Sequence, residues 1–156
     1  MCIRDSTLPF IKEINALNPK RKISEVKYYA GAQIGRSLLT LSGSNIDILS
    51  ARFKSLVQIT QKVMATKSEP MINVLCLYEN EIWRLIIFLR QKHRPEAFFM
   101  EGEKRIYVSP GAIDMAGVIV TPKEIDFERL TSDIVGCIYR EVTLPDEKMR
   151  QIMEAL

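Results

Sequence analysis

Histidine is the scarcest reactive residue in this sequence: His93 stands alone in 156 residues. A single imidazole excludes a metal site built on clustered histidines and any motif that repeats histidine along a strand. Serine catalysis would need His93 beside a serine and an acid, and the spacing shows no such arrangement. Cysteine is nearly as sparse. Cys2, Cys76 and Cys137 are far apart, odd in number and form no C-x-x-C. That excludes a disulfide framework and fits a reducing compartment, so the expected location is cytoplasmic. Cys76 falls in mid-strand and reads as core; Cys137 reads as helix packing. Neither sign of charge dominates, with 22 basic side chains against 19 acidic ones and a net charge of +3. That is too little to argue for nucleic acid or a membrane, and neither is expected as a partner. No apolar run reaches the roughly 18 residues that span a bilayer, and residues 1–10 lack the apolar core of a signal peptide. There is no linker, low-complexity segment or repeat. No metal and no cofactor is expected.

What remains is an ordinary globular composition, 47% hydrophobic and 26% charged, long enough for one domain with a real core. Residues 8–17 read as a short helix with Pro9 in its first turn, and Asn18 to Lys22 as a basic loop. Residues 25–31 and 34–41 read as strands, with Gly31 and Gly35 near the turn between them. Ser44 or Asn45 caps a long helix from Ile46 to about Ala65, whose apolar stripe runs through Leu49, Phe53, Leu56 and Val63. Ile72 to Tyr78 and Ile82 to Arg90 read as two strands joined by Glu79-Asn80-Glu81. In the second, Trp83, Leu85, Ile87 and Leu89 share one face, while Arg84, Ile86, Phe88 and Arg90 share the other. Residues 97–100 and 105–108 are expected to form a hairpin, and Met115 to Val120 a further strand. Thr121-Pro122-Lys123-Glu124 has a capping-box pattern. Thr131 is placed to cap Ser132 to Val142, and a final helix starts near Thr143 to Asp146. The Asp126/Glu128 and Asp146/Glu147 carboxylates read as the surfaces of helix starts. The fold class is α+β: an antiparallel β-sheet with flanking helices.

Two stretches carry candidate chemistry. Arg90-Gln91-Lys92-His93-Arg94-Pro95 sets four groups able to bear positive charge at the end of a strand, where a rigid element gives way to a loop. Arginine offers a planar fork for phosphate, lysine a point charge, histidine a donor or acceptor. The same pattern also describes a solvated strand end. Ser109 to Gly117 holds two glycines and a proline with Ser109 and Asp114 close by. Such a loop can bring backbone N–H groups up to a phosphate, or can be a tight connection that needs glycine.

Three stretches together resemble a known family: Lys92-His93-Arg94-Pro95, Ser109 to Gly117 (SPGAIDMAG), and Thr121-Pro122-Lys123-Glu124, with Leu8-Pro9-Phe10-Ile11 as a fourth. They resemble the C-terminal half of a bacterial family in the histidine-triad superfamily, related to GDP-L-galactose phosphorylase and to diadenosine tetraphosphate phosphorylase (ATP adenylyltransferase). The resemblance covers most of residues 8–142, and its middle stretch is the most specific. It implies an incomplete histidine-triad-like (galactose-1-phosphate uridylyltransferase-like) domain. It also implies nucleotidyl transfer, in which a histidine attacks the α-phosphorus of a nucleotide sugar or dinucleoside polyphosphate and a covalent nucleotidyl-histidine forms. The family's His-x-His-x-His or His-x-His-x-Gln motif is absent here. His93 matches the Lys-His-Arg-Pro stretch instead, so no catalytic residue is carried over. Arg90, Lys92, His93, Arg94, Ser109 and Asp114 are the candidates for substrate contact or for shaping the pocket. The expected partner is a nucleotide or nucleotide sugar, with a homodimer left open. Two alternatives stand beside this: a non-catalytic anion- or nucleotide-binding module, and a structural or dimerising domain.

The first six residues, MCIRDS, match the translation of a transposon adapter used in sequencing libraries. Residues 1–6 are therefore expected to be an adapter artefact, which removes Cys2 from consideration, and residues 7–156 the C-terminal part of one α+β domain. On that reading an open sheet edge or an exposed apolar patch is expected where an absent half would dock.

Overall fold

A nearly continuous apolar run along Ile82–Arg90, broken inside only by Arg84, supplies both faces of the sheet. The computed structural model describes residues 9–30 and 35–156, and within them five strands form one antiparallel sheet in the order β1-β2-β3-β5-β4. The strands are β1 (Arg21–Ile23), β2 (Val26–Tyr29), β3 (Leu38–Gly43), β4 (Met71–Glu79) and β5 (Ile82–Arg90). Six helices surround them: α1 (Pro9–Ala16), α2 (Ile46–Val63), α3 (Ala112–Met115), α4 (Glu124–Arg129), α5 (Ser132–Val142) and α6 (Asp146–Glu154). The chain is α+β, as its pattern implies.

Side chains two apart on a strand leave by the same face, so β5 feeds two cores. Leu85, Ile87 and Leu89 join Leu39, Leu41, Val26 and Tyr28, covered by Leu49 and Leu56 of α2 and by Met149, Ile152 and Met153 of α6. On the other face Ile86 and Phe88 join Leu38 and Tyr29, covered by Phe10, Ile11 and Ile14 of α1, Met115 of α3, and Tyr139 and Val142 of α5. A satellite of Ile106, Val108 and Ile138 lies under the loop after β5. The β4–β5 turn places Asn80 and Glu81 at φ 50° and 62°. That pair of positive φ values suits the right-handed twist of a two-residue hairpin, and asparagine tolerates it better than glutamate. Asn45 caps α2, its side-chain oxygen accepting from the N–H groups of Asp47 and Ile48 at 2.9 and 3.1 Å.

Several expectations are overturned. The basic loop at 18–22 contains β1, because the hairpin with β2 gives Arg21 to Ile23 ladder partners. The hairpin expected over 97–100 and 105–108 does not form. Short 3-10 turns occupy Glu96–Phe98 and Gly102–Lys104 instead. Side chains satisfy this backbone in place of a ladder: Arg129 donates to the carbonyls of Glu103 and Arg105, and the Asp126 carboxylate accepts from the Tyr107 N–H at 3.0 Å. No strand covers Met115 to Val120. Residues Ala112–Met115 are helical, and Gly117, at φ 94°, reverses the chain where a Cβ would be strained. The capping box at Thr121–Glu124 is not made, since Lys123 begins α4 without a side-chain cap. Cys76 and Cys137 are both exposed rather than packed. Cys76 sits on edge strand β4, and Cys137 faces away from the buried Ile138, Tyr139 and Val142 of α5. Asp126 is not a surface carboxylate: it is 1% exposed. The turn expected at 31–35 falls mostly on residues 31–34, which with residues 1–8 lie outside the described residues.

The outer side of β4 has no ladder partner among the described residues. Ile113, Val118, Val120, Ile125 and Phe127 are exposed around α3 and α4. No helix among the described residues is long and apolar enough to cross a membrane.

Candidate anion-binding site

Strand β5 ends by delivering Arg90 to the boundary between the sheet and the loop that follows. The Gln91 N–H donates to the Val142 carbonyl at 2.9 Å, and the Leu144 N–H donates to the Leu89 carbonyl at 3.0 Å. These bonds anchor the loop to the end of α5, and Pro95 is buried beneath it. Between the anchors, Lys92, His93 and Arg94 are all exposed. They line a cavity of about 490 Å³ together with Glu96, Phe99 and Ser109. Four of the six residues predicted from sequence therefore share one site.

The other two play different parts. Arg90 is only 7% exposed. Its guanidinium donates to the carbonyls of Pro110 and His93 at 2.5 and 2.6 Å, and to the Asn73 side-chain oxygen at 3.0 Å. Burial pulls this guanidinium below the usual arginine value, and the nearby Asp114 carboxylate works against that pull. Asp114 is turned into its own loop. Its carboxylate accepts from the N–H groups of Gly111 and Val120 at 2.8 and 3.0 Å, while Tyr139 donates its hydroxyl to the Asp114 carbonyl.

Electrostatics differ among the cations of the rim. The Lys92 ammonium meets the Glu96 carboxylate at 2.7 Å. That hydrogen bond raises the lysine above its usual value and lowers the glutamate below its own. Arg94 makes no ion pair among the described residues, and its guanidinium lies 4.2 Å from the centre of the Phe98 ring. Stacking on an aromatic face restricts the arginine without neutralising it. The same device recurs beside the cavity, where Arg105 and Lys123 lie 4.5 and 4.1 Å from the Tyr107 ring centre. The rim thus offers a flexible point charge, an oriented guanidinium, an imidazole and a hydroxyl, a donor set suited to phosphate oxygens.

Three groupings escape a reading of the sequence. Arg36, 6% exposed, is held between the rings of Phe10 and Tyr139. Tyr28 and Ser37 donate to one oxygen of Asp146 at 2.7 and 2.6 Å, and burial pushes the Tyr28 hydroxyl above the usual tyrosine value. Ser37 and Asp146 border a larger cavity of about 580 Å³ lined also by Arg36, Arg140 and Thr143. Its carboxylate already accepts from two hydroxyls, whereas Arg94 and His93 in the smaller cavity form no ion pair among the described residues. The aromatic ladder of Phe98 and Tyr107 is the third grouping. Its signal was present only as Phe98, Arg105, Tyr107 and Lys123 scattered over 26 positions without a period. Among the described residues, no group of three or more histidine, cysteine, aspartate or glutamate side chains is placed to hold a metal. No family model, no curated protein and no solved structure matches this chain.

Proposed function

We propose that the cavity between Lys92, His93, Arg94 and Ser109 grips the phosphates of a nucleotide, and that the chain serves a nucleotidyltransferase or phosphorylase of the histidine-triad type. The substrate on this reading is a nucleotide sugar or a dinucleoside polyphosphate. The observation that carries it is the convergence of Lys92, His93, Arg94 and Ser109 on one open cavity with Phe99 at its border. Lys92 and Arg94 neutralise phosphate charge, the Ser109 hydroxyl donates to a phosphate oxygen, and the exposed Phe99 ring provides an apolar surface alongside.

Transfer through a nucleotidyl-histidine needs a His-x-His-x-His or His-x-His-x-Gln motif, which these 156 residues do not contain. The chain by itself is therefore inactive on this reading. A second reading, a non-catalytic anion- or nucleotide-binding module, is favoured by the same fact, since His93 is exposed on a loop and forms no ion pair among the described residues. Calorimetric titration with GDP, ADP and inorganic pyrophosphate tests the shared step. Replacing both Lys92 and Arg94 by alanine is expected to weaken binding by about 10- to 100-fold, the loss of two charge-assisted contacts. Equal affinity in the wild type and the double variant sinks the assignment of the cavity. Labelled nucleotide offered to a protein that contains both this chain and a His-x-His-x-His or His-x-His-x-Gln motif separates the two readings: label on a histidine supports transfer, and its absence supports the binding module.

A further inference from the structure

Arg90 arrives at the site pointing the wrong way to touch a ligand. It is buried, and its terminal nitrogens are committed to the His93 and Pro110 carbonyls and to Asn73. Those two carbonyls belong to the two chain segments that meet at the cavity, since His93 and Ser109 both line it. His93 lies in the rim that carries Lys92 and Arg94, and Pro110 follows Ser109 directly. One side chain fixed in the sheet therefore ties the two lining segments to each other.

The carbonyls also fix the peptide planes. In a trans peptide the C=O and the following N–H point in opposite directions. With the Pro110 carbonyl turned towards Arg90, the Gly111 N–H points away, and the Asp114 carboxylate takes it at 2.8 Å. With the His93 carbonyl turned towards Arg90, the Arg94 N–H likewise points away from the guanidinium. That N–H forms no backbone hydrogen bond among the described residues. Resting on the phosphate-binding reading above, we propose that Arg90 is a positioning residue: it ties the two segments together and turns the Arg94 backbone N–H outward as a donor to a phosphate oxygen. A guanidinium suits this task because its planar fork meets two carbonyls at once, which an ammonium cannot do with the same geometry.

Arg90→Lys tests this, since it keeps the charge and removes the fork. The probe is inorganic pyrophosphate, titrated into the full 156-residue chain and followed by calorimetry and by the backbone amide spectrum. In the wild type the Arg94 amide shifts on binding. In Arg90→Lys, with circular dichroism showing a folded protein, affinity falls about tenfold, the scale of one charge-assisted hydrogen bond, and the residue 94 amide no longer shifts. In Arg94→Ala the amide of residue 94 still shifts, with weaker binding, because that donor is backbone. A folded Arg90→Lys with wild-type affinity overturns the proposal. An Arg94 amide unmoved at saturating pyrophosphate in the wild type overturns it without any variant. If wild-type and Lys92→Ala/Arg94→Ala proteins bind pyrophosphate equally, the cavity itself is not the site, a failure visible before Arg90 is changed.

Discussion

The sheet and the segment from Gln91 to Thr131 are held by different forces. In the sheet, backbone groups pair with backbone groups, and side chains are left to bury apolar area. Leu38, Leu39, Leu41, Ile86, Ile87 and Phe88 are fully enclosed, and each contributes about 1.5–3 kcal/mol relative to exposure. The segment after the sheet has no ladder to use. Beside local backbone turns, several of its carbonyls and N–H groups are taken by charged side chains, Arg90, Arg129, Asp114 and Asp126 among them. Charged side chains do there part of what hydrogen-bonded strands do elsewhere. A loop tied in this way keeps a fixed shape while its own side chains, Lys92, His93, Arg94 and Ser109 among them, stay in solvent. A strand in the same place would alternate its side chains between two faces and set fewer of them around one cavity.

The largest effect belongs to the sheet. Phe88→Ala removes a fully buried ring packed against Phe10, and is expected to cost about 3–5 kcal/mol; urea unfolding measures it. A loss under about 1 kcal/mol would erase the distinction between the two regions.

Arg129→Ala strikes the tied segment and is expected to cost about 2 kcal/mol at neutral pH, because it strips the carbonyls of Glu103 and Arg105 and the Asp126 carboxylate of their donor. This variant also has a pH signature. Burial by itself raises the Asp126 carboxyl, but the Tyr107 N–H and the Arg129 guanidinium more than reverse this and hold it below the usual aspartate value. A carboxyl lowered in the folded state stabilises the protein above its unfolded value of about 3.9, and that stability disappears as pH falls through the lowered folded value. The wild type therefore loses stability across this acid range, and Arg129→Ala loses less across the same range. Unfolding midpoints measured from about pH 5 down to about pH 2 give the comparison.

The smallest effect concerns the rim itself. Glu96→Gln frees the Lys92 ammonium from its 2.7 Å partner and is expected to tighten pyrophosphate binding by about two- to fivefold, with little change in stability, since exposed pairs of this kind contribute less than about 1 kcal/mol. Weaker binding in Glu96→Gln would mean that Glu96 orients Lys92 rather than competing for it.

Strands β2 to β5, helix α2 with its Asn45 cap, and helices α5 and α6 were all legible in the sequence. Each repeats apolar residues at its own period or opens with a residue that caps it, and period and cap are local properties of the chain. The two faces of β5, including Arg84 and Arg90 on one side, followed from alternation alone. Legibility stopped at Gln91. Several of the contacts that shape the stretch to Thr131 join residues 19 to 26 positions apart, as with Asp126 and Tyr107 or Arg129 and Glu103. β-branched and aromatic residues at Phe98, Phe99, Ile106 and Tyr107 suggested strands, and such side chains form strands only where a neighbour offers a ladder.

The candidate site divides along the same line. Composition and spacing by themselves brought Lys92, His93 and Arg94 to a strand end and showed that one histidine cannot make a triad. Only the tertiary structure decided that Ser109 joins them, that Asp114 and Arg90 turn inward, and that Arg94 rests on Phe98. The physical reason is burial: whether a charged side chain reaches solvent or ties a backbone carbonyl depends on what the rest of the chain packs around it, and no local pattern encodes that.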